Sequence, residues 1–599
     1  MMLHWWAGLP LLLPLLVLCG RGLAQSSEPM FRSVTETVLP PDNQHNPTQL
    51  NYGMAVTDVD GDGDLEVVVA GYNGPNLVLK YDRGQQRLVN IAVDDRSSPF
   101  YALRDPLGNA IGVTACDVDG DGREEIYFLN TNNAYSGRAT YSDKLFKFRN
   151  GHFEDLLGDD INVRRGVANR MAGRSVACVD RKGTGHYAVY VANYASGNVG
   201  PHALIEMDEA ASDLAKGIIA LSDVAAQAGV NKYTGVALAD FNADGKTDIV
   251  YGNWNGQHRL YLQDNNQRFR VREGMEGERE GGWRGVGVEA GWESEVSVTD
   301  QREVNGMGGR LGKDGNKDIK PLCSLPPQDI ASGSFSSPSP VRTVIAADFD
   351  NDQELDIFFN NIAYRGHAPN RLFRVARRAG ADPQIEELNV GEAAEPQGRG
   401  TGATVTDFDG DGQLDLLVAH GESASQPISV FKVTQGSSNH WLRVIPRTRF
   451  GSFARGARVT AYTNQSGALM RIIDGGSGYL CEMEPVAHFG LGKDEVTVVE
   501  VYWPDGRSVA RPLQPGDMNS VMEIGYPKEG EESVLTPDTQ CGEGFFVKNG
   551  RCADGIYQHL QYSKTYRLIK FCSFSLLSGP LFFPPLSLCR YMRAVNEIP

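Results

Sequence analysis

Short apolar runs alternate with Gly- and Asp-rich turns along most of residues 50–435. Runs such as VVVAGY, IYFLN and LLVAH are rich in β-branched, aromatic and aliphatic residues and end at turn-forming residues, which is typical of β-strands. No stretch of this region keeps the 3.6-residue period of an amphipathic helix. The pattern therefore predicts an all-β fold built from short strands.

The strand pattern returns about every 60 residues, together with an acidic turn. Each turn lies between two short strands, and further strand candidates such as NLVLKY and NRLFRV follow downstream. Four short strands per period, repeated radially, predict a β-propeller. The acidic turns begin at Asp58, Asp117, Asp240, Asp348 and Asp407.

A sixth copy of the turn begins at Asp180 and keeps the frame without the acids. Arg181, Lys182 and Thr184 stand in this copy. We therefore expect the Asp180 turn to bind no metal.

Residues 271–328 lengthen one repeat interval to 108 residues. This segment is rich in Gly, Glu and Arg and has neither the helical nor the strand period. Joining Arg270 directly to Asp329 would restore RFRDIA, which matches the element found at this place in other repeats. We therefore predict an unstructured insertion that interrupts one repeat.

The two ends of the chain have their own patterns. An apolar run from Trp5 to Cys19, followed by small residues up to Ala24, predicts a secretory signal peptide at residues 1–24. A membrane anchor is the alternative, but the run is shorter than the roughly 20 residues that a span needs. The tail, residues 556–599, contains an apolar stretch interrupted by Lys570 and prolines. We expect no defined structure there, with a membrane span or lipid anchor as the alternative.

Alternate positions of the acidic turns supply oxygen ligands for one hard cation, and Ca²⁺ suits such a donor set best. Positions 1, 3, 5 and 9 offer side chains, and position 7 offers its carbonyl. About five Ca²⁺ sites are therefore expected. The five predicted ligand sets are Asp58, Asp60, Asp62, Asp64 and Glu66; Asp117, Asp119, Asp121, Arg123 and Glu125; Asp240, Asn242, Asp244, Lys246 and Asp248; Asp348, Asp350, Asp352, Glu354 and Asp356; and Asp407, Asp409, Asp411, Gln413 and Asp415.

Two other kinds of turn share part of this pattern. An EF-hand needs a bidentate Glu at position 12, but that position is always apolar or aromatic, as at Val69 and Phe128, so the EF-hand is excluded. Solvated hairpin turns are also rich in Asp and Gly. Five turns with acids at the same repeat phase favour metal binding instead.

The ligand positions also explain the charge of the chain. The side chains at positions 1, 3, 5 and 9 carry 19 carboxylates, whereas the formal net charge is −18, so the rest of the chain is nearly balanced. No segment supplies the basic surface that a nucleic-acid partner needs.

The turns and their strand pairs resemble the FG-GAP repeats of integrin α-subunit propellers. Downstream, HFGLG at His488–Gly492 and WPDG at Trp503–Gly506 resemble the ASPIC/UnbV module, and CGEGFFVKNGRC resembles the start of a calcium-binding EGF-like domain. The resemblance implies a propeller of about seven blades at residues 25–440. It further implies a small β-rich ASPIC/UnbV domain at 441–526 and an incomplete EGF-like module at 538–555.

Cysteines and a sequon give further expectations. Cys541 and Cys552 open the EGF-like stretch and are candidates for a disulfide, whereas Cys116 and Cys178 either pair or stay as buried thiols. Asn464, in NQS, is the acceptor sequon and is predicted on an exposed turn.

The resemblance implies a secreted calcium-binding glycoprotein of the extracellular matrix that acts as a non-enzymatic binding or adhesion module. Its expected partners are matrix or cell-surface proteins, without nucleic acid and without a membrane span. A soluble antagonist or ligand of a cell-surface receptor is one alternative. A propeller enzyme is another, although no nucleophile motif stands in the sequence and propeller active sites assemble from distant loops.

Overall fold

The computed structural model of the chain describes most of the propeller and of the domain that follows it. For strands β14 to β17, only the backbone is described. The described residues are 28–133, 137–193, 201–230, 237–239, 248–251, 259–263, 269–271, 332–378, 381–422, 424–477, 480–528, 535, 541–542, 545–548 and 551–554. The predicted signal peptide, nearly all of the predicted insertion and the predicted tail therefore lie outside the described residues.

The propeller begins with strand β1 and helix α1, and its next strands form three antiparallel sheets, or blades, in chain order. The bounds are Phe31–Ser33 for β1 and Thr35–Val38 for α1; Leu50–Thr57, Glu66–Tyr72, Leu77–Asp82 and Arg87–Asn90 for β2 to β5 (blade 1); Ala110–Cys116, Glu125–Asn130, Lys144–Arg149 and His152–Asp155 for β6 to β9 (blade 2); and Gly173–Val179, Ala188–Asn193, Ala203–Met207 and Leu221–Asp223 for β10 to β13 (blade 3). Two further short helices are α2 (Asp160–Arg165) and α3 (Ala225–Ala228).

Three more four-stranded sheets complete the described propeller. Their bounds are Ala237–Ala239, Asp248–Tyr251, Arg259–Gln263 and Phe269–Val271 for β14 to β17 (blade 4); Val341–Ala347, Asp356–Asn361, Arg371–Arg378 and Ala381–Leu388 for β18 to β21 (blade 5); and Gly400–Thr406, Asp415–His420 and Ser429–Val433 for β22 to β24 (blade 6).

Strand β1 completes blade 6 as its outermost strand. It pairs antiparallel with β24, with Phe31 opposite Val433, so the start of the chain joins the last blade to close the ring. The predicted all-β propeller is confirmed. Six four-stranded propeller sheets lie among the described residues, and the N-terminal strand adds to one of them instead of forming another. The count of about seven blades stays a prediction.

The two inner strands of blade 1 are buried on both faces. In blade 1, every residue of β3 and all but the first residue of β2 are buried. Such strands have near-continuous apolar sequences because neither face meets water. Neighbouring blades pack through these strands, and the disulfide Cys116–Cys178 joins the inner strands of blades 2 and 3. Of the two alternatives for these cysteines, a disulfide or buried thiols, the structure shows the disulfide.

A second domain follows the propeller and consists of two sheets. Strands β25, β28 and β31 form one sheet, and β26, β27, β29 and β30 form the other. An apolar cluster that includes Leu442, Phe489 and Trp503 fills the space between them. The bounds of β25 to β31 are His440–Pro446, Arg458–Thr463, Gly467–Ile472, Ala487–Gly492, Val496–Tyr502, Ser508–Pro512 and Ser520–Ile524.

The segment between β27 and β28 enters the centre of the propeller. The amide of Cys178 donates to the Gly475 carbonyl at 2.6 Å, and the amide of Glu482 donates to the Met54 carbonyl at 2.8 Å. A Cβ built on Gly402 would lie 2.8 Å from the Cys481 sulfur. Because these partners lie on inner strands of blades 1, 3 and 6, the segment runs along the propeller axis.

A hairpin of strands β32 (Phe545–Lys548) and β33 (Arg551–Asp554) follows the second domain. The predicted disulfide Cys541–Cys552 is present beside it. The EGF-like module stays a prediction, since the described part contains this hairpin and no more of the module. Within the described ranges, no helix combines the length and apolar character needed to cross a membrane.

Candidate metal sites in the acidic loops

The acidic loops connect the first and second strands of the blades, and one carboxylate organises each turn. In the first loop, the Asp58 carboxylate accepts the amide N–H groups of Gly61 at 2.7 Å, Asp62 at 3.1 Å and Gly63 at 3.0 Å. Gly61 and Gly63 have φ angles of 79° and 93°, where a side chain would be strained. Glycine at these two positions thus lets the chain adopt the turn without strain.

Four of the five predicted loops lie within the described residues, and each brings three carboxylates together. In each group, one oxygen per residue lies within 4.8 Å of the others. The groups are Asp58, Asp60 and Asp62; Asp117, Asp119 and Glu125; Asp348, Asp350 and Asp352; and Asp407, Asp409 and Asp415. The loop that begins at Asp240 lies outside the described residues.

A basic side chain from the third strand of the same blade binds the acids of each loop. Lys80 contacts Asp60 and Asp62, the latter at 2.5 Å, and lies 3.6 Å from Glu66. The other three loops repeat this arrangement with one base each. Lys147 contacts Asp119, Asp121 and Glu125 at 2.6–3.0 Å, Arg374 contacts Asp350, Asp352 and Asp356 at 2.5–2.8 Å, and Lys432 contacts Asp409, Asp411 and Asp415 at 2.7–3.4 Å.

These bases leave several buried oxygens without a donor. Oδ1 of Asp60, Oε1 of Glu66, Oδ1 of Asp350 and both carboxylate oxygens of Asp415 have no hydrogen-bond partner. A buried carboxylate oxygen without a partner is unfavourable unless a cation or donor binds it. The side chains therefore fit a metal ion bound by these oxygens next to the base, whose ammonium lies 3.6 Å from Oε1 of Glu66 in blade 1 and 3.4 Å from Oδ1 of Asp415 in blade 6.

Burial and the charges of neighbouring acids raise the pKa values of several buried carboxyls in these loops. The pKa of Glu66 rises to about 8, mainly because burial removes water and also because Asp60 lies near. Burial likewise raises the pKa values of Asp117 and Asp348 to about 7. The metal-free loops therefore hold their negative charge unfavourably, and a bound cation would relieve that.

The Asp180 loop of blade 3 has the opposite charges. Arg181 and Lys182 in the loop each bind Glu206 on strand β12 at 2.9 Å. Glu206 lies at the place in its blade where the acidic loops have their base, since Val189 on β11 pairs with Ile205 and the neighbouring positions continue that register. Loop and third strand are thus complementary in charge in all five described blades that have the loop.

Sequence reasoning missed the four bases. A signal was present, because each is a basic residue between two apolar or aromatic residues of the third strand, as in NLVLKY and KLFKF. The connection between the second and third strands differs in length among blades, so spacing in sequence did not align these positions. Strand pairing does align the bases with the loops, since Arg374 on the third strand lies opposite Asp356, the last acid of its loop.

The second domain covers the loop face of the propeller. A Cβ on Gly412, in the blade 6 loop, would lie 1.9 Å from the Trp441 ring, and the ring of Phe450 stacks on His186 beside the blade 3 loop at 4.6 Å. Arg455 is fully buried and binds both carboxylate oxygens of Glu124, from the blade 2 loop, at 2.9 and 3.0 Å. The candidate metal sites therefore border an interdomain contact.

The predicted sequon lies where it was expected. Asn464 is exposed in the turn between β26 and β27. His488 of HFGLG is buried within β28, and burial lowers its pKa well below the usual value. It therefore packs as a neutral residue.

Comparison with known proteins supports both parts of the chain. The family described as "ASPIC and UnbV" matches residues 448–529, and the FG-GAP-like repeat matches residues 58–128. Among solved structures, a fucose-specific lectin from Aleuria aurantia is 9% identical, covers 66% of this chain and 99% of its own, and has a TM-score of 0.30.

Curated relatives match over most of their length. "Cartilage acidic protein 1" of Homo sapiens is 58% identical over 606 residues, which cover 91% of this chain and 83% of that protein. "Cartilage acidic protein 1" of Xenopus tropicalis is 57% identical and covers 89% of this chain and 82% of its own. The resemblance inferred from the repeats and the HFGLG and WPDG motifs is thereby confirmed, and the chain belongs to the cartilage acidic protein family.

Proposed function

We propose that the chain is a secreted, calcium-binding glycoprotein of the extracellular matrix that acts as a non-enzymatic binding or adhesion module. The proposed calcium binding is supported mainly by buried carboxylate oxygens that accept no hydrogen bond. They belong to Asp60, Glu66, Asp350 and Asp415. They lie in three loops that share one geometry. The Asp240 loop adds a fifth site on the basis of its sequence.

Charge and donor chemistry favour Ca²⁺ for these loops. Asp58, Asp60, Asp62 and Glu66 offer four carboxylates and Lys80 offers one compensating charge, so a divalent ion is needed to approach neutrality. Ca²⁺ accepts many oxygen ligands in flexible geometry, whereas Mg²⁺ needs a small octahedral site and keeps several waters. Binding at about 10⁻⁴ to 10⁻³ M is typical of extracellular modules.

The extracellular assignment rests on three observations that agree. The relatives are called cartilage acidic proteins, and cartilage is largely extracellular matrix. The disulfides Cys116–Cys178 and Cys541–Cys552 suit an oxidising compartment. Asn464 presents its sequon on an exposed turn, where a glycan would be accommodated.

The proposed binding role is supported by the face of the propeller that the second domain leaves uncovered. The second domain covers the loop face, so in the described part the opposite face of the propeller is the one left to a partner. Arg342, Tyr364 and Glu422 form a hydrogen-bonded group between blades 5 and 6, next to the strand ends away from the acidic loops. We propose matrix or cell-surface proteins as partners, without nucleic acid and without a membrane span.

Calorimetric titration of chelator-treated protein with Ca²⁺ tests the metal sites. We expect about five ions per chain, one fewer in Asp60→Asn, and an unchanged number in Asp64→Asn. Asp64 is the matched control because its side chain binds the exposed Arg83 at 2.9 Å and only its carbonyl is an expected ligand. No binding at millimolar Ca²⁺, or the same loss in both variants, would contradict the assignment.

Affinity capture from matrix and cell-surface extracts tests the binding role. We expect a partner that is retained in Ca²⁺ and reduced in chelator. A hydrolytic or lyase activity that a point variant abolishes would instead favour the enzyme alternative.

A further inference from the structure

The Asp348 loop of blade 5 differs from the other acidic loops at two turn positions. Positions 4 and 6 are Asn351 and Gln353, whereas the first, second and sixth blades have Gly at both. Their φ angles are 59° and 80°, in the left-handed region that Gly adopts without strain. Residues with side chains in this conformation need an interaction that compensates for the strain.

Those interactions reach the HFGLG strand of the second domain. Oδ1 of Asn351 lies 2.6 Å from Nε2 of His488, and the Asn351 carbonyl accepts the Gly492 amide at 2.7 Å. Nε2 of Gln353 donates to the Leu491 carbonyl at 2.6 Å. Each strained residue therefore binds strand β28.

The backbone of β28 also touches the first acid of the loop. A Cβ on Gly490 would lie 2.2 Å from Oδ2 of Asp348 and 2.4 Å from the Asn351 Cα. Asp348 is 1% exposed, and its carboxylate accepts the amides of Asp352 and Gln353 at 3.0 and 2.9 Å. The same carboxylate thus organises the turn and borders the docked strand.

The loop retains a free ligand position toward its interior. The Asp350 side chain is 8% exposed and binds Arg374 through Oδ2, whereas its Oδ1 is buried without a hydrogen-bond partner. An ion held by Asp348, Asp350 and Asp352 would be bound on both sides of Asn351 and would restrict the turn that presents it. The ion site and the docking contact therefore share one short segment.

We propose that the Asp348 loop is a calcium-dependent latch that fastens the second domain to the propeller through the HFGLG strand. The proposal rests on the calcium function proposed above and adds a specific role for one site. Ca²⁺ in this loop orders Asn351 and Gln353 for their bonds to β28. Loss of Ca²⁺ from this loop loosens β28, while loss from the blade 1 loop leaves β28 docked.

Hydrogen–deuterium exchange of the peptide 487–493 in the full chain tests the latch. We expect exchange about tenfold slower in millimolar Ca²⁺ than in chelator, because the Gly492 amide is hydrogen-bonded in the docked state. Asp350→Ala should keep the fast exchange even in Ca²⁺. Asp60→Ala is the matched control, since it removes position 3 of a loop that contacts the second domain through the apolar Leu65.

A second variant separates the latch from ion binding and from misfolding. Asn351→Gly suits the left-handed turn and removes no predicted ligand, so it should bind as many Ca²⁺ ions as the wild type. It removes the side-chain contact to His488 and keeps the backbone bond to Gly492, so exchange at 487–493 in Ca²⁺ should be faster than in the wild type. Exchange in Asn351→Gly equal to that of the wild type in Ca²⁺, or equal effects of Asp350→Ala and Asp60→Ala, would overturn the latch. If instead neither acidic variant lowers the calcium stoichiometry, the calcium function itself fails.

Discussion

Replacement of Lys147 by Met tests whether the bases neutralise the metal-free loops. The ammonium of Lys147 lies 3.0 Å from Asp119, 2.6 Å from Asp121 and 2.9 Å from Glu125. The Lys147, Asp119 and Glu125 side chains are 9%, 4% and 1% exposed. Met keeps most of the volume and removes the charge, so the variant isolates the electrostatic contribution.

The magnitude follows from the burial of the acids that remain. Removing one partner of a buried ion pair destabilises a fold by about 3 to 5 kcal/mol, because the other charge stays desolvated. We expect this loss of unfolding free energy in excess chelator. In saturating Ca²⁺ the bound ion compensates for Asp119 and Glu125, and the loss should fall to about 1 kcal/mol, as for an exposed pair.

Denaturant unfolding followed by circular dichroism, with and without Ca²⁺, measures both values. Arg83→Met is the matched control, since Arg83 also binds a loop acid, Asp64, but the two side chains are 61% and 49% exposed. Its loss should be below about 1 kcal/mol in either condition. A Lys147→Met loss equal to the control in chelator would refute the reasoning, and an equal loss in both conditions would show that Ca²⁺ does not bind this loop.

Three other outcomes are expected. In excess chelator, the melting temperature should rise as the pH is lowered from 8 toward 5, and Ca²⁺ should flatten this pH profile. Burial raises the pKa of Glu66 to about 8 and that of Asp117 to about 7. A carboxyl whose pKa is raised in the folded state contributes stability that is lost as the pH rises through that value. Arg455→Met should lower the unfolding free energy by about 3 to 5 kcal/mol, because Glu124 stays buried without its cation, and adding Glu124→Gln should recover part of it; no recovery would assign the loss to packing. Asn464→Gln should remove one glycan from the secreted protein by mass spectrometry and leave its melting temperature unchanged, and an unshifted mass would contradict the sequon assignment.

The repeat in the sequence was enough to predict the propeller and its acidic loops. Alternate acids at one repeat phase place carboxylates on a turn whose geometry is local, since the Asp58 carboxylate accepts amides within five residues of itself. Strand period and turn chemistry are likewise local. For that reason the sequence alone predicts that acidic loops begin at Asp58, Asp117, Asp348 and Asp407.

The partners of these acids could not be predicted in the same way. Lys80 lies 14 to 20 residues beyond the acids that it binds, at a place fixed by strand pairing and not by spacing. Strand β1 likewise joins blade 6, far away along the chain. Pairing between segments separated by loops of variable length is decided by the packed structure.

By itself, the sequence determined the all-β repeat, the acidic loops and the ASPIC/UnbV module, because strand period, turn residues and short motifs are local properties of the chain. Only the tertiary structure decided that the second domain covers the loop face, that its segment around Cys481 enters the propeller centre, and that the Asp348 loop binds the HFGLG strand. These contacts join residues more than a hundred positions apart. Their formation depends on which buried groups find a partner when the two domains pack together.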